Sequence, residues 1–289
     1  MHNYLVLGLE SFLLMHRLEI TKSIFTISYK AVFITISLVV LHLFNISKID
    51  AQVYIGAKAG ARTSWLQYDD FASEDYDKSL FYGYSAGFTG AVKVQKRFTL
   101  QLDIMYAQNG KKIDGITDAS LQNYAKYHFI NTPVVYKLDF NGSLGARSFK
   151  WYVGAGPNVN FWLGGKGILK SVELQEESLQ ELQYQIIFDS KPASPKFGGL
   201  YYEEFNRVQV GLIVSTGLVV EPVPGQSLII DFRYEWGHSY MANEKGRFTN
   251  VIAYQDDLRA RNQAIQISVA YMFDIINKGK KEKKLYYKN

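Results

Sequence analysis

The chain has 289 residues, 32 Lys and Arg against 27 Asp and Glu, and no Cys. The missing Cys excludes disulfides, thiolate metal sites and a lipid-carrying cysteine. A mean hydropathy near zero argues against a helical membrane bundle but not against membrane strands, which are only half apolar.

The positive surplus gathers in Lys278–Lys288, which holds six Lys and one Glu and reads as a solvated basic tail, not a nucleic-acid patch. At the other end, Lys22 and Lys30 precede the apolar run Ala31 to Phe44, and Ala51-Gln52 offers a small residue at a cut. That order of basic, apolar and small residues is a cleaved export signal. The run is short for the roughly 20 residues of a spanning helix. A second apolar stretch, Tyr4 to Met15, leaves Met15 as an alternative start. The expected division is a removed segment 1–51, a domain 52–276 and a basic periplasmic tail 277–289.

From Val53 onward, eight segments place an apolar residue at every second position: Val53–Trp65, Tyr82–Gln95, Phe98–Gln108, Tyr124–Asp139, Phe149–Leu163, Val208–Glu221, Ser227–His238 and Gln263–Phe273. Neighbouring side chains of a strand point to opposite faces. In the seventh segment Leu228, Ile230, Phe232, Tyr234 and Trp236 therefore share one face, and Ile229, Asp231, Arg233 and Glu235 the other. Each segment reaches the roughly 9–11 residues that a tilted membrane strand needs. The connections alternate. Leu66–Phe81, Asn109–Asn123, Gly164–Arg207 and Ser239–Asn262 are long; Lys96-Arg97, Phe140–Ser148 and Pro222–Gln226 are short. An even strand count with both ends on one side puts every long loop on the other, the pattern of an outer-membrane barrel with short periplasmic turns. The expected fold is all-β: an eight-stranded, antiparallel, up-and-down transmembrane barrel.

Parity then assigns faces. Phe232, Tyr234, Trp236, Ile265, Ile267, Tyr271 and Phe273 belong to the lipid side. Lys58, Arg62, Lys93, Lys137 and Arg233 point inward, against Asp103, Asp139, Glu221, Asp231 and Glu235. An eight-stranded barrel has room for little more than its own side chains, and buried charges need partners. A lumen filled by ion pairs is expected, not an open pore. Inward glycines such as Gly56, Gly60, Gly154 and Gly217 make space for larger neighbours. The competing reading, a soluble β protein, has no second apolar surface to receive the aromatic faces.

Several stretches resemble the PorT-like outer-membrane β-barrel family of Bacteroidetes. Gly56-Ala57-Lys58-Ala59-Gly60 resembles its G-x-K-x-G opening. Leu102-Asp103-Ile104-Met105-Tyr106-Ala107-Gln108-Asn109-Gly110 is similar to its third strand. Phe129-Ile130-Asn131-Thr132-Pro133-Val134-Val135-Tyr136-Lys137 resembles its fourth, and Tyr152-Val153-Gly154-Ala155-Gly156-Pro157 its Y-x-G-A-G-P strand. The resemblance spans Val53 to Phe273 and implies an outer-membrane barrel. The family is named for a member linked to secretion and gliding; that role does not follow from these motifs. Asn131 stands where the family has Glu, and sixteen residues follow Phe273.

Chemistry is sparse. His128, His238 and Ser239 fall near strand ends, and Asp69, Asp70, Glu74, Asp75 and Asp77 crowd one loop. No G-x-S-x-G or other local signature joins them into a catalytic set. The acidic loop matches no EF-hand spacing and reads first as solvated, with a Ca²⁺ site as the alternative. Leu169 to Ile187 has Val172, Leu179, Leu182 and Ile186 at helical spacing among glutamates, which suits an amphipathic helix lying over the mouth, with a wall-extending hairpin or a partner contact as alternatives. No cofactor, metal or nucleic acid is expected. The expected partners are outer-membrane lipid and a protein or glycan met by loops 66–81 and 164–207. The expected role is a non-enzymatic binding or scaffold component, with a small porin and a secretion or gliding accessory as alternatives.

Overall fold

The computed structural model describes residues 52–68, 76–116, 120–144, 147–188, 197–202, 204–249 and 255–276. The export segment, the basic tail and the loop residues Asp69, Asp70, Glu74 and Asp75 lie outside that set.

Eight long strands form a closed ring. They are β1 (Val53–Tyr68), β3 (Phe81–Gln95), β4 (Phe98–Gly115), β5 (Gln122–Leu144), β6 (Arg147–Lys170), β9 (Val208–Val220), β10 (Gln226–Tyr240) and β13 (Ala260–Asp274). Each pairs antiparallel with the next, and β13 returns to β1. The alternating pattern explains the closure: a strand apolar on one face and charged on the other cannot leave an edge unpaired in an apolar medium. Directly opposed residues lead around the ring from Ile265 through Tyr234, Val214, Ala155, Tyr136, Leu100, Val92 and Val53, returning to Ile275, ten residues further along. That stagger, with strands about 4.8 Å apart, tilts them by roughly 40°.

One end of the ring carries tight turns, the other the elaborations. There β2 (Tyr76–Ser79) pairs with the extension of β4. Beyond β6 come a short helix α1 (Val172–Glu176), capped by the Ser171 side chain, and β7 (Leu182–Ile187), which folds back antiparallel on β6. Then β8 (Gly199–Tyr201) runs parallel to β7, and β11 (Gly246–Phe248) and β12 (Gln255–Asp256) complete a side sheet.

Two sequence expectations need correction here. The amphipathic helix over Leu169–Ile187 is not formed. Only α1 is helical, and Leu182, Tyr184 and Ile186 are the buried positions of a strand, alternating with the outward Gln183 and Gln185. The segment Asn109–Asn123, read as a long connection, is mostly strand: β4 continues to Gly115 and β5 starts at Gln122.

The core has two parts. At the elaborated end a cluster built on Trp162, Tyr127, Phe129, Leu169, Leu200 and Tyr202 fills the ring and the space beneath the side sheet. Toward the tight turns the interior is polar, with a small apolar group of Ala91, Tyr152, Ile229, Ala270 and Met272 near the turn end.

Candidate functional site

Alternation on β1, β4 and β10 sends Lys58, Asp103, Asp231 and Arg233 to the ring axis at one level. All four are buried. Lys58 Nζ lies 3.2 Å from Asp103 Oδ2 and also pairs with Asp231. Arg233 Nη1 lies 2.7 Å from Asp103 Oδ2, and its Nε donates to Asp231 Oδ2 at 2.9 Å. Gln101 Nε2 donates to the remaining oxygen of Asp103 at 2.7 Å. Two cations and two carboxylates thus neutralise one another in a closed quartet, the arrangement that makes buried charge tolerable.

A second group lies one step along β1 and β10. Arg62 and Glu235 meet through both terminal guanidinium nitrogens, with the Nη1 contact at 2.8 Å. Arg62 also donates to Gln266 and Asn109. Asn131 Nδ2 donates to Glu235 Oε1 at 3.0 Å and lies 2.6 Å from Asn160 Oδ1. The amide at 131 is what this neighbourhood accepts. A carboxylate there would face Glu235 with only Arg62 between them.

The other expected members are not drawn into these clusters. Lys137 is buried, with its ammonium 3.6 Å above the Tyr152 ring. Gly217 makes room for that ring, since a Cβ there would sit 2.7 Å from the Tyr152 hydroxyl and 2.3 Å from the Ile230 carbonyl. Asp139 is half-buried and accepts from Thr99 at 3.0 Å. Lys93 is half-buried and makes no ion pair among the described residues. Glu221 is a correction. It does not enter the network; its carboxylate meets Lys150 at 2.6 Å with both side chains largely exposed. It follows the last residue of β9, where the strand ends and the turn begins. With Lys137, Tyr152 and Lys93 these residues line a cavity of about 70 Å³ at the turn end.

A third buried ionic group was not read from the sequence. Lys111 meets Asp256 at the elaborated end, 145 positions apart in the chain. Asn123 donates to the same carboxylate at 3.0 Å, and Tyr202 does so at 2.5 Å; Tyr184 donates to Asn123 at 2.7 Å. Burial first, and then the Asp256 carboxylate, push the Tyr184 and Tyr202 phenols well above their ordinary value.

On the outer surface of the ring, Phe232, Tyr234, Trp236, Ile265, Ile267, Tyr271 and Phe273 are all exposed, as are Phe88 at 70 % and Val214 at 60 %. Aromatic pairs bracket this band. Tyr84–Tyr106, Tyr106–His128 and Trp65–Tyr234 lie toward the elaborated end; Phe98–Tyr136, Phe140–Trp151 and Tyr271–Phe273 lie toward the turns. From Leu228 to Trp236 the exposed face of β10 rises about 21 Å at the tilt above, close to the roughly 25 Å apolar band of outer-membrane proteins. Among the described residues no helix is long and apolar enough to cross a membrane.

The residues considered for catalysis stay apart. His128 bonds the Tyr106 hydroxyl at 2.5 Å, His238 packs edge-on to Trp236, and Ser239 Oγ accepts from the backbone of Val210 at 3.1 Å. Of the acidic loop, Asp77 is described, and it lies on β2.

A closed ring with an apolar outside and an ionic inside defines an integral protein of the outer membrane. Residues 27–239 match the family model described as outer membrane protein beta-barrel domain, and the chain belongs to that family. Comparison with curated proteins gives no match. Among solved structures, the chain is similar to Neisserial surface protein A at 13 % identity and a TM-score of 0.39, covering 78 % of this chain and 100 % of that one. It is similar to OprG from Pseudomonas aeruginosa at 11 % identity and 0.44, covering 77 % and 96 %. For Ail of Yersinia pestis the values are 13 % and 0.33, covering 77 % and 99 %.

Proposed function

We propose that the protein is an eight-stranded, up-and-down transmembrane barrel, its tight turns periplasmic and its elaborated end outside the cell. It acts there as a non-enzymatic binding or scaffold component. The observation that carries this reading is the closed interior. The Lys58–Asp103–Asp231–Arg233 quartet and the Arg62–Glu235 group occupy the axis, and the aromatic cluster around Trp162 fills the ring beyond them. What remains to present to a partner is the outer sheet and its loops within 66–81 and 164–207. A protein or a glycan is the partner class such a surface serves. The motifs around Lys58, Asp103, Pro133 and Gly154 support placing the chain among the PorT-like members of its family. Reconstitution in planar bilayers tests the reading. A filled interior gives no steady single-channel conductance, and a stable unitary current would return the porin alternative.

A further inference from the structure

We infer that the outward groove between β5, β6, β7 and β8 binds the phosphate-bearing headgroup of an outer-leaflet glycolipid. The inference rests on the orientation proposed above. The groove is about 590 Å³, within the usual range of ligand pockets. Lys126 and Lys166 stand directly opposite each other on the same face of β5 and β6. Like charges directly opposite destabilise a sheet, yet neither lysine makes an ion pair among the described residues. None of the twelve residues lining the groove is acidic; Gln183, Gln185, Tyr124 and Tyr184 carry the remaining polar groups, and the Gln183 amide donates to Glu181 beside the groove at 3.5 Å. Two ammonium groups on opposed residues, that of Lys126 5.6 Å over the Tyr124 ring and neither paired with a carboxylate among the described residues, suit a phosphate, which accepts from both.

The height and the walls point to a lipid as the source. On β5, Lys126 lies two residues beyond His128, on the face where His128 stacks against Tyr106. The groove therefore opens where the exposed apolar band ends, at headgroup level. Tyr124, Ile168, Ile187 and Phe197 line it, and Phe197 is 68 % exposed. Basic pockets at the membrane surface of helical membrane proteins hold acidic lipid headgroups by the same pairing of ammonium and phosphate. A soluble anion would need the lysines but would leave the apolar walls in water.

The test uses the full chain purified in neutral detergent and native mass spectrometry with diphosphoryl lipid A, dephosphorylated lipid A and inorganic phosphate. Diphosphoryl lipid A is expected to bind, and to bind at least about tenfold more weakly to K126Q/K166Q but equally to K96Q, which changes an exposed lysine in a tight turn. Equal binding by the double variant, or equal binding of dephosphorylated lipid, would overturn the site. Inorganic phosphate displacing the lipid at matched concentration would overturn the lipid as source. E244C, at an exposed position of the elaborated end away from the groove, labelled on intact cells with a membrane-impermeant maleimide checks the orientation separately. No labelling sinks the orientation. Labelling together with unaltered lipid binding sinks the site alone.

Discussion

On the turn side of His128 and Trp162 the wall is apolar outside and ionic inside; beyond them the outside carries lysines and glutamines among a few apolar groove walls, and the inside is largely apolar around the Lys111–Asp256 pair. The same strands make both halves. On β5, Val134 and Tyr136 point out while Asn131 and Lys137 point in; six residues earlier, Lys126 and His128 point out while Tyr127 and Phe129 point in. On β5 the inward parity is kept throughout, but on β6 it changes. Tyr152, Asn160 and Trp162 face inward below a bulge, and Leu169 above it. Gly164, at a φ of 153°, takes the positive-φ backbone that this shift requires. The inversion shows what the parity of a strand reports. It marks which face meets the apolar medium, and that is lipid along one stretch and a protein core along the next.

The contrast can be broken from either side. Asp231→Ala leaves Lys58 and Arg233 with one carboxylate between them and should cost about 3–5 kcal/mol, read as a lower heat-modified gel transition. Trp162→Ala should cost a similar 3–5 kcal/mol through its cavity. Its damage should stay in the outer half, as faster proteolysis there with the membrane-level transition little changed. Val214→Arg, at the middle of the exposed band, should lose about 2–4 kcal/mol on folding into lipid, whereas Gln183→Arg on the outer sheet should lose roughly 0–1. Asn131→Glu should cost about 1–3 kcal/mol by replacing two amide donations with a carboxylate beside Glu235.

The smallest effect is a pH dependence confined to the outer half. Tyr184 and Tyr202 keep their protons in the fold at a pH where the unfolded chain has lost them. Their stabilisation is therefore complete below about pH 10 and is lost as pH rises beyond it. The protection of β7 and β8 against hydrogen exchange, taken relative to the intrinsic base-catalysed rate, should fall above that pH, and in Y202F the fall should be smaller.

Much of the ring was legible because its signal is local. Asp231, Arg233 and Glu235 alternate with Phe232, Tyr234 and Trp236 within one strand, and that alternation fixes both faces. The four quartet residues were among ten inward charges, but neither their grouping nor their pairing was legible, since register between β1, β4 and β10 depends on turns far apart in the chain. The Lys111–Asp256 pair was hidden because Asp256 sits on a two-residue strand that no periodicity can announce. The misread helix has a different cause. Leu182 and Ile186 fit a period of four, and so does every second pair on a strand; Tyr184 between them is the residue that decides for period two. Glu221 failed because parity continues to assign a face after the strand has ended.

Nitroxide accessibility measures the inversion most directly. Spin labels at V214C, F232C and I267C in reconstituted protein are predicted to collide more with oxygen than with an aqueous nickel chelate, and labels at K126C and K166C to show the reverse order. High nickel accessibility at Val214, Phe232 and Ile267 in the folded, reconstituted protein would contradict the account.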